Sequence, residues 1–313
     1  MGFKKGIVVH PESAKLSAGN FSTKQKWHSE NLNYFPSKKE QFEDLDAMSK
    51  EFIWKGAGPS SPIFEPGETL VTMGSCFADR LRRWLNKNGK NATYIAVPEG
   101  LNNSFAVRQY LEWALTGDRS TDAYWYDNDP KLGAYKYEPE QEHADLLRHF
   151  KNVNGVVVTF GLGEVWKDTE TDNVFWRGVP ADAYDDQKHK CVTTTVQENV
   201  DNMIRIAELI KQYAGHDKRI IFTLSPVPLN ATFTNQPTML SDCVSKSILR
   251  VALDQFFRET QLSDVYYWPS FEMVRWVGAH TDIPTLFEDN TTRHVNNDIV
   301  KIIIDNFVEK FFK

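Results

Sequence analysis

The chain has 313 residues, 41% hydrophobic and 25% charged, with a formal net charge of −6 and a pI of about 5.8. That length suits one large α/β domain with decorations, and the balance of charge and apolar residues excludes wholesale disorder. The sequence has no dense Lys/Arg block and no run of about 18 apolar residues, which argues against a nucleic-acid partner and against a membrane span.

Residues 1–66 read as an extended N-terminal arm. The start, Met1 to His10, is basic but has too short an apolar run for a signal peptide. The stretch Ser37 to Leu45 is polar, and Gly56 to Pro62 is a loop by composition. Trp27, Tyr34, Phe35, Phe52 and Trp54 are too many large apolar groups for a free tail, so the arm is expected to pack on the domain formed by residues 67–313.

The first core strand is Leu70 to Met73, ending at Gly74-Ser75. Phe77, Leu81, Trp84 and Leu85 follow at helical spacing, and Asn88-Gly89 supplies the stop. A second short strand is expected over Ala92 to Val97, then a loop through Asn102 and Asn103 and a helix ending at Leu115. Residues 118–141 read as an inserted loop rich in Asp, Tyr, Pro and Gly, and helix signals return from His143 to Lys151. Gly155 to Gly161 is a continuous apolar run, the pattern of a strand buried on both faces of a parallel sheet. Val165 to Asp168 and Asn173 to Arg177 bracket a polar turn and read as a hairpin. A helix over 194–214, a buried strand over Arg219 to Leu224, a helix from about Cys243 to Glu259 and a strand from Val265 come next. The last helix runs from about Asn297 to Phe312, with Ile299, Ile303, Phe307 and Phe311 on one stripe. Strand and helix alternate throughout, which predicts an α/β three-layer sandwich with a central, mostly parallel sheet. In such a sheet the ligand crevice lies at the C-terminal ends of the strands.

That rule points to Ser75. Its hydroxyl stands at the first turn of a helix, where free N–H groups favour a developing anion; the same position also suits a plain N-cap. The backbone N–H of Ser75 or Cys76 is a candidate oxyanion donor. Cys76 is a rival nucleophile, since a thiolate at a helix N-terminus is activated, but it is expected to turn inward as a small packed hydrophobe. Among the eight histidines, His294 is the best placed to serve as base, just ahead of the last helix. Cys76, Cys191 and Cys243 are far apart and have no metal-ligand spacing, so no metal or other cofactor is expected, and the sparse count fits a reducing, cytoplasmic location. Aromatics make up 13% of the chain, with nine Trp, which fits either a large aromatic core or a sugar-stacking surface.

Gly74-Ser75-Cys76-Phe77-Ala78 resembles the name-giving motif of the GSCFA family, a branch similar to the SGNH/GDSL hydrolases. Later segments resemble that family in order: Gly100 to Phe105, Thr159 to Trp166, Ser225 to Leu229, Ser245-Lys246-Ser247 with Leu249-Arg250, and Pro269 to Glu272. The resemblance implies an SGNH-hydrolase-like fold with Ser75 as nucleophile and His294 as base. It also implies a serine-dependent esterase or O-acyltransferase whose acyl ester belongs to a carbohydrate or glycan. Two departures stand out. The SGNH pattern has Asp three residues before the His, where this chain has Thr291, so Asp289 becomes the candidate orienting acid, with a Ser-His dyad as the alternative. The SGNH Asn of the third segment is Gly163 here, so Asn102 or Asn103 becomes the candidate side-chain donor. Gly161, Gly163, Glu164 and Ser225 complete the expected oxyanion and substrate-binding set. These departures also keep open a non-catalytic glycan-binding or scaffold protein, with Tyr124-Trp125-Tyr126 as a stacking loop.

Overall fold

The alternation of strand and helix resolves, in the computed structural model, into a five-stranded parallel sheet between two helical layers. The structure describes residues 7–10, 15–18, 33–96, 101–118, 139–175, 179, 184–288 and 290–313. The chain divides into two units, Met1–Ser37 and Lys38–Lys313. The first contains an antiparallel hairpin, β1 (Ile7–His10) and β2 (Lys15–Ala18), with Ile7 opposite Ala18. Trp27, the loop residues 119–138 with Tyr124-Trp125-Tyr126, Gly100, Arg177 and Asp289 lie outside the described residues.

In the second unit, the residues ahead of the first sheet strand are not simply extended. Asp44 caps a short helix, α1 (Leu45–Phe52), by accepting from the Ala47 N–H at 3.0 Å. The spacing of Leu45, Met48 and Phe52 turns one face of α1 inward. Trp54 stacks on Trp268 at 5.3 Å, and Phe64 is fully buried.

The sheet consists of β3 (Thr69–Gly74), β4 (Asn91–Tyr94), β5 (Gly155–Phe160), β8 (Arg219–Leu224) and β9 (Val265–Trp268), in spatial order β4-β3-β5-β8-β9. Its central strands are buried at nearly every position because both faces are covered, and they are largely apolar, with Thr72, Thr159 and Thr223 as buried polar exceptions. Val156, Val158 and Phe160 face one layer, with α3 (Ser104–Thr116), α5 (Val196–Leu209) and α6 (Thr238–Glu259). Val157 and Ile221 face the other, with α2 (Cys76–Lys87), α1 and α8 (Asn297–Phe311). The stripe Ile299, Ile303, Phe307 and Phe311 is wholly buried there. Much of the aromatic content among the described residues is core: ten of their Phe and Trp side chains, Trp268 among them, are less than 2% exposed.

Three local expectations change. The strand Glu164–Asp168 (β6) takes its main antiparallel partner from His189–Thr193 (β7); over the described residues of the expected hairpin, Val174 also bridges antiparallel to Lys167, with Asp168 N–H donating to the Asn173 carbonyl at 2.9 Å and Phe175 N–H to the Trp166 carbonyl at 2.8 Å. The Asp168 carboxylate accepts the Glu170 and Thr171 N–H groups, which closes the tight turn between these two segments. Helix α6 begins at Thr238, ahead of the expected Cys243, because Met239, Leu240 and Val244 point outward and blur its apolar period. A helix, α7 (Ser270–Arg275), follows β9 directly. The remaining helix, α4 (Pro139–Asn152), covers the predicted His143–Lys151 segment.

Candidate active site

Strand order decides where a site can form. From β3 the chain moves outward to β4, then returns to the opposite side of β3 as β5. The connections therefore diverge between the C-terminal ends of β3 and β5, the place where open α/β sheets take their ligands. Ser75 follows β3 and Gly161 follows β5.

The two strand ends are held in register. Ser75 N–H donates to the Thr159 carbonyl at 3.0 Å, one step beyond the Gly74–Thr159 pair. Gly74 has φ +111, and a Cβ there would lie 2.1 Å from the Thr159 oxygen, so only glycine fits. Ser75 is 4% exposed and caps α2, its Oγ accepting from Phe77 N–H at a long 3.3 Å. The hydroxyl that caps α2 is thus only weakly engaged.

Gly161 forms the facing wall. A Cβ on Gly161 would come within 3.2 Å of Ser75 Cβ and 3.7 Å of Asn102 Oδ1, so Ser75 and the half-buried Asn102 flank the same α-carbon. The N–H groups of Gly161 and Leu162 both donate to the Asn102 carbonyl, at 2.7 and 2.8 Å. Gly163 N–H donates to Ser245 Oγ at 2.6 Å. Both glycine amides are therefore already engaged. Asn103 is buried and caps α3, its Oδ1 accepting from Ala106 N–H at 2.8 Å. Ser225 is buried and turns the loop after β8: its N–H donates to the Phe160 carbonyl and its Oγ accepts from Val227 N–H. The Glu164 carboxylate accepts from Thr232 Oγ1 and from the Cys191 thiol, and burial pushes its pKa up.

The expected inward turn of Cys76 is not what the structure has: Cys76 is exposed. Helix α2 buries Phe77, Ala78, Leu81 and Leu85, and position 76 falls on the open side of that face.

His294 lies in a loop tied on one side to the loop after β8 and on the other to α2. Arg293 donates through Nε and Nη2 to the Pro228 carbonyl, in the loop after β8, at 3.1 and 3.0 Å. Arg80, on α2, donates to the Val295 carbonyl and to Asn297 Oδ1, each at 2.7 Å. Thr291 holds the backbone: its Oγ1 accepts from His294 N–H at 3.1 Å and donates to the Glu288 carbonyl at 3.1 Å. Glu288 in turn accepts from the Asn297 N–H at 2.8 Å. The residue at the position of the expected Asp thus supports the histidine through its main chain.

Two groups escaped sequence reasoning in their present roles. Arg80 is one: a half-buried arginine on an amphipathic helix carries no signal that it reaches a segment 215 positions away. Lys246 is the other. It is 2% exposed, and its Nζ donates to the Gly161 carbonyl at 2.7 Å. Burial is the chief reason its pKa falls to about 8. A signal existed here: Asp242, Ser245, Lys246, Leu249 and Leu253 recur at helical spacing on the buried face of α6, so a lysine occupies a core position. Asp242 pins the next loop by accepting from Leu229 N–H at 3.0 Å and pairing with Arg275. One helix face thereby holds the strand-end loops of both β5 and β8.

No group of three or more His, Cys, Asp or Glu among the described residues is arranged to hold a metal ion. No helix among them is long and apolar enough to cross a membrane. The family model described as "GSCFA family" matches residues 69–307. No curated protein matches the chain. Among solved structures, the chain is similar to a carbohydrate esterase family 2 enzyme with its carbohydrate-binding domain from Corynascus thermopiles (Myceliophthora fergusii). The TM-score is 0.37 at 12% identity, covering 80% of this chain and 68% of that one.

Proposed function

The chain belongs to the GSCFA family, and from that premise we propose that it is a serine-dependent esterase or O-acyltransferase acting on an acyl ester of a carbohydrate or glycan. The observation that carries this reading is the weakly engaged Ser75 hydroxyl at the C-terminal end of β3, at the point where the sheet order reverses.

In this mechanism Ser75 Oγ attacks the acyl carbonyl, and His294 takes the hydroxyl proton and returns it to the leaving alcohol. Water then resolves the acyl-enzyme in an esterase, and a sugar hydroxyl does so in a transferase. The oxyanion meets the N–H of Cys76, which opens α2 and has no partner among the described residues, together with the Asn102 side chain. The engaged amides of Gly161 and Gly163 argue against using either as a donor, so we assign both glycines to the wall of the site. Asp289 remains our candidate to orient His294, with a dyad as the alternative. The three separated thiols fit a reducing, cytoplasmic compartment.

A fluorophosphonate probe tests the reading: labelling on Ser75 is expected, and a folded protein that never labels would leave only a glycan-binding or scaffold role. Arg80 offers a second check. Arg80→Met frees the loop behind His294, so kcat for p-nitrophenyl acetate should fall by up to about 10²-fold while the melting temperature changes little. An unchanged kcat would mean that the His294 loop is not part of the catalytic machinery.

A further inference from the structure

On the esterase reading above, we propose that Lys246 is a positioning residue of the site: its ammonium fixes the Gly161–Leu162 peptide, through it the Asn102 amide, and sets a positive charge behind the oxyanion.

The peptide unit joining Gly161 and Leu162 is held at both ends. Its oxygen accepts from Lys246 Nζ at 2.7 Å, and its N–H donates to the Asn102 carbonyl at 2.8 Å. A cation on the oxygen polarises the peptide and strengthens the bond at its N–H end. The Gly161 N–H adds a second bond to the same Asn102 oxygen at 2.7 Å. The backbone of Asn102 is thereby locked, which leaves its side chain on the Gly161 face that Ser75 also lines.

Packing alone does not account for a lysine here. Burying an ammonium is unfavourable unless a carboxylate pairs with it. Lys246 has no ion pair within 4.0 Å among the described residues, because the one nearby acid, Asp242, is committed to Arg275 and to Leu229 N–H. The charged and titratable groups that act on it are Asp242 on its own helix, Arg275 on α7, Cys76 on α2 and Arg293 in the loop before α8. A leucine or methionine would fill the same space at lower cost. The charge serves a purpose if a negative charge forms nearby during turnover, as it does when Ser75 attacks an ester.

Lys246 titrates at about 8, so its charge is present at neutral pH and is lost as pH rises through that value. In a Cys76→Ala background, which removes the neighbouring thiol, kcat for p-nitrophenyl acetate should decline with an alkaline midpoint near that value. Lys246→Met should lower kcat about 10²-fold with KM little changed and remove the midpoint. Lys246→Arg should move the midpoint upward, since a guanidinium stays charged. A folded Lys246→Met with parental kcat, or one that keeps the alkaline midpoint, overturns the proposal. So does an unshifted midpoint in Lys246→Arg, which decides the matter should the Met variant not fold.

A readout independent of turnover separates this proposal from the reading beneath it. The Asn102 side-chain amide should shift in NMR spectra as Lys246 titrates, and should not do so in Lys246→Met. Asn102 signals indifferent to Lys246 overturn the positioning role even in an active enzyme. Failure of parental Ser75 to react with a fluorophosphonate overturns the esterase reading instead, and the NMR titration still decides the role of Lys246.

Discussion

Ser75→Ala is expected to lose at least about 10⁴-fold in ester cleavage while losing only about 1 kcal/mol of stability. The small stability cost follows from the long 3.3 Å cap to Phe77 N–H, the one bond that the hydroxyl makes among the described residues. The large activity cost follows because nothing else at the end of β3 can form the acyl bond except the exposed Cys76 thiol. Cys76→Ala is therefore the necessary companion, and it should keep most of the activity. His294→Ala should fall as far as Ser75→Ala, and the double variant no further, because a nucleophile and its base act as one unit. Steady-state kinetics with an activated ester and with an acetylated sugar, alongside thermal melts, would measure all four. Parental rates in Ser75→Ala, or near-parental rates in His294→Ala, would end the esterase assignment.

Gly74→Ala is the variant expected to damage the fold itself. A side chain at φ +111 is strained by about 1–3 kcal/mol before any contact is counted. The added methyl would also sit 2.1 Å from the Thr159 carbonyl oxygen and 3.0 Å from Thr159 N, both backbone atoms of the neighbouring strand. Relief requires β3 and β5 to part at their C-terminal ends, which breaks the Ser75 N–H bond to Thr159 as well. A loss of more than about 4 kcal/mol, or failure to fold, is the expected result in urea titration. Gly67→Ala is the control: its φ is +88, but no atom lies within 4 Å of the added carbon, so only backbone strain remains. Equal effects at both positions would mean that β3 and β5 are not in the close contact described.

Much of the fold follows from periodicity that the chain carries locally. Gly155 to Phe160 is apolar but for Thr159 because both faces of β5 are covered, and Ile299, Ile303, Phe307 and Phe311 repeat at the helical period because α8 buries one side. Ser75 could likewise be singled out from a strand, a glycine and a helix start in succession. These features depend on a residue and its near neighbours, so a single sequence states them.

What periodicity cannot state is which groups meet across the sheet. Only the strand order β4-β3-β5-β8-β9 brings Ser75 beside Gly161, at the point where the order of the sheet reverses. Asn102 and Asn103 are adjacent and chemically identical, yet one side chain caps α3 while the other lies at the Gly161 wall. The Gly163 amide looked available until α6 brought Ser245 Oγ to it from 82 positions away. Thr291 stood for a missing acid until its hydroxyl was seen bonding the His294 main chain. The sequence by itself therefore determined which segments are buried and where a nucleophile can stand, because burial is written in the local spacing of apolar residues. The tertiary structure decided which donors and charges surround Ser75, because hydrogen bonds and buried charges are settled only when distant segments compete for the same partners.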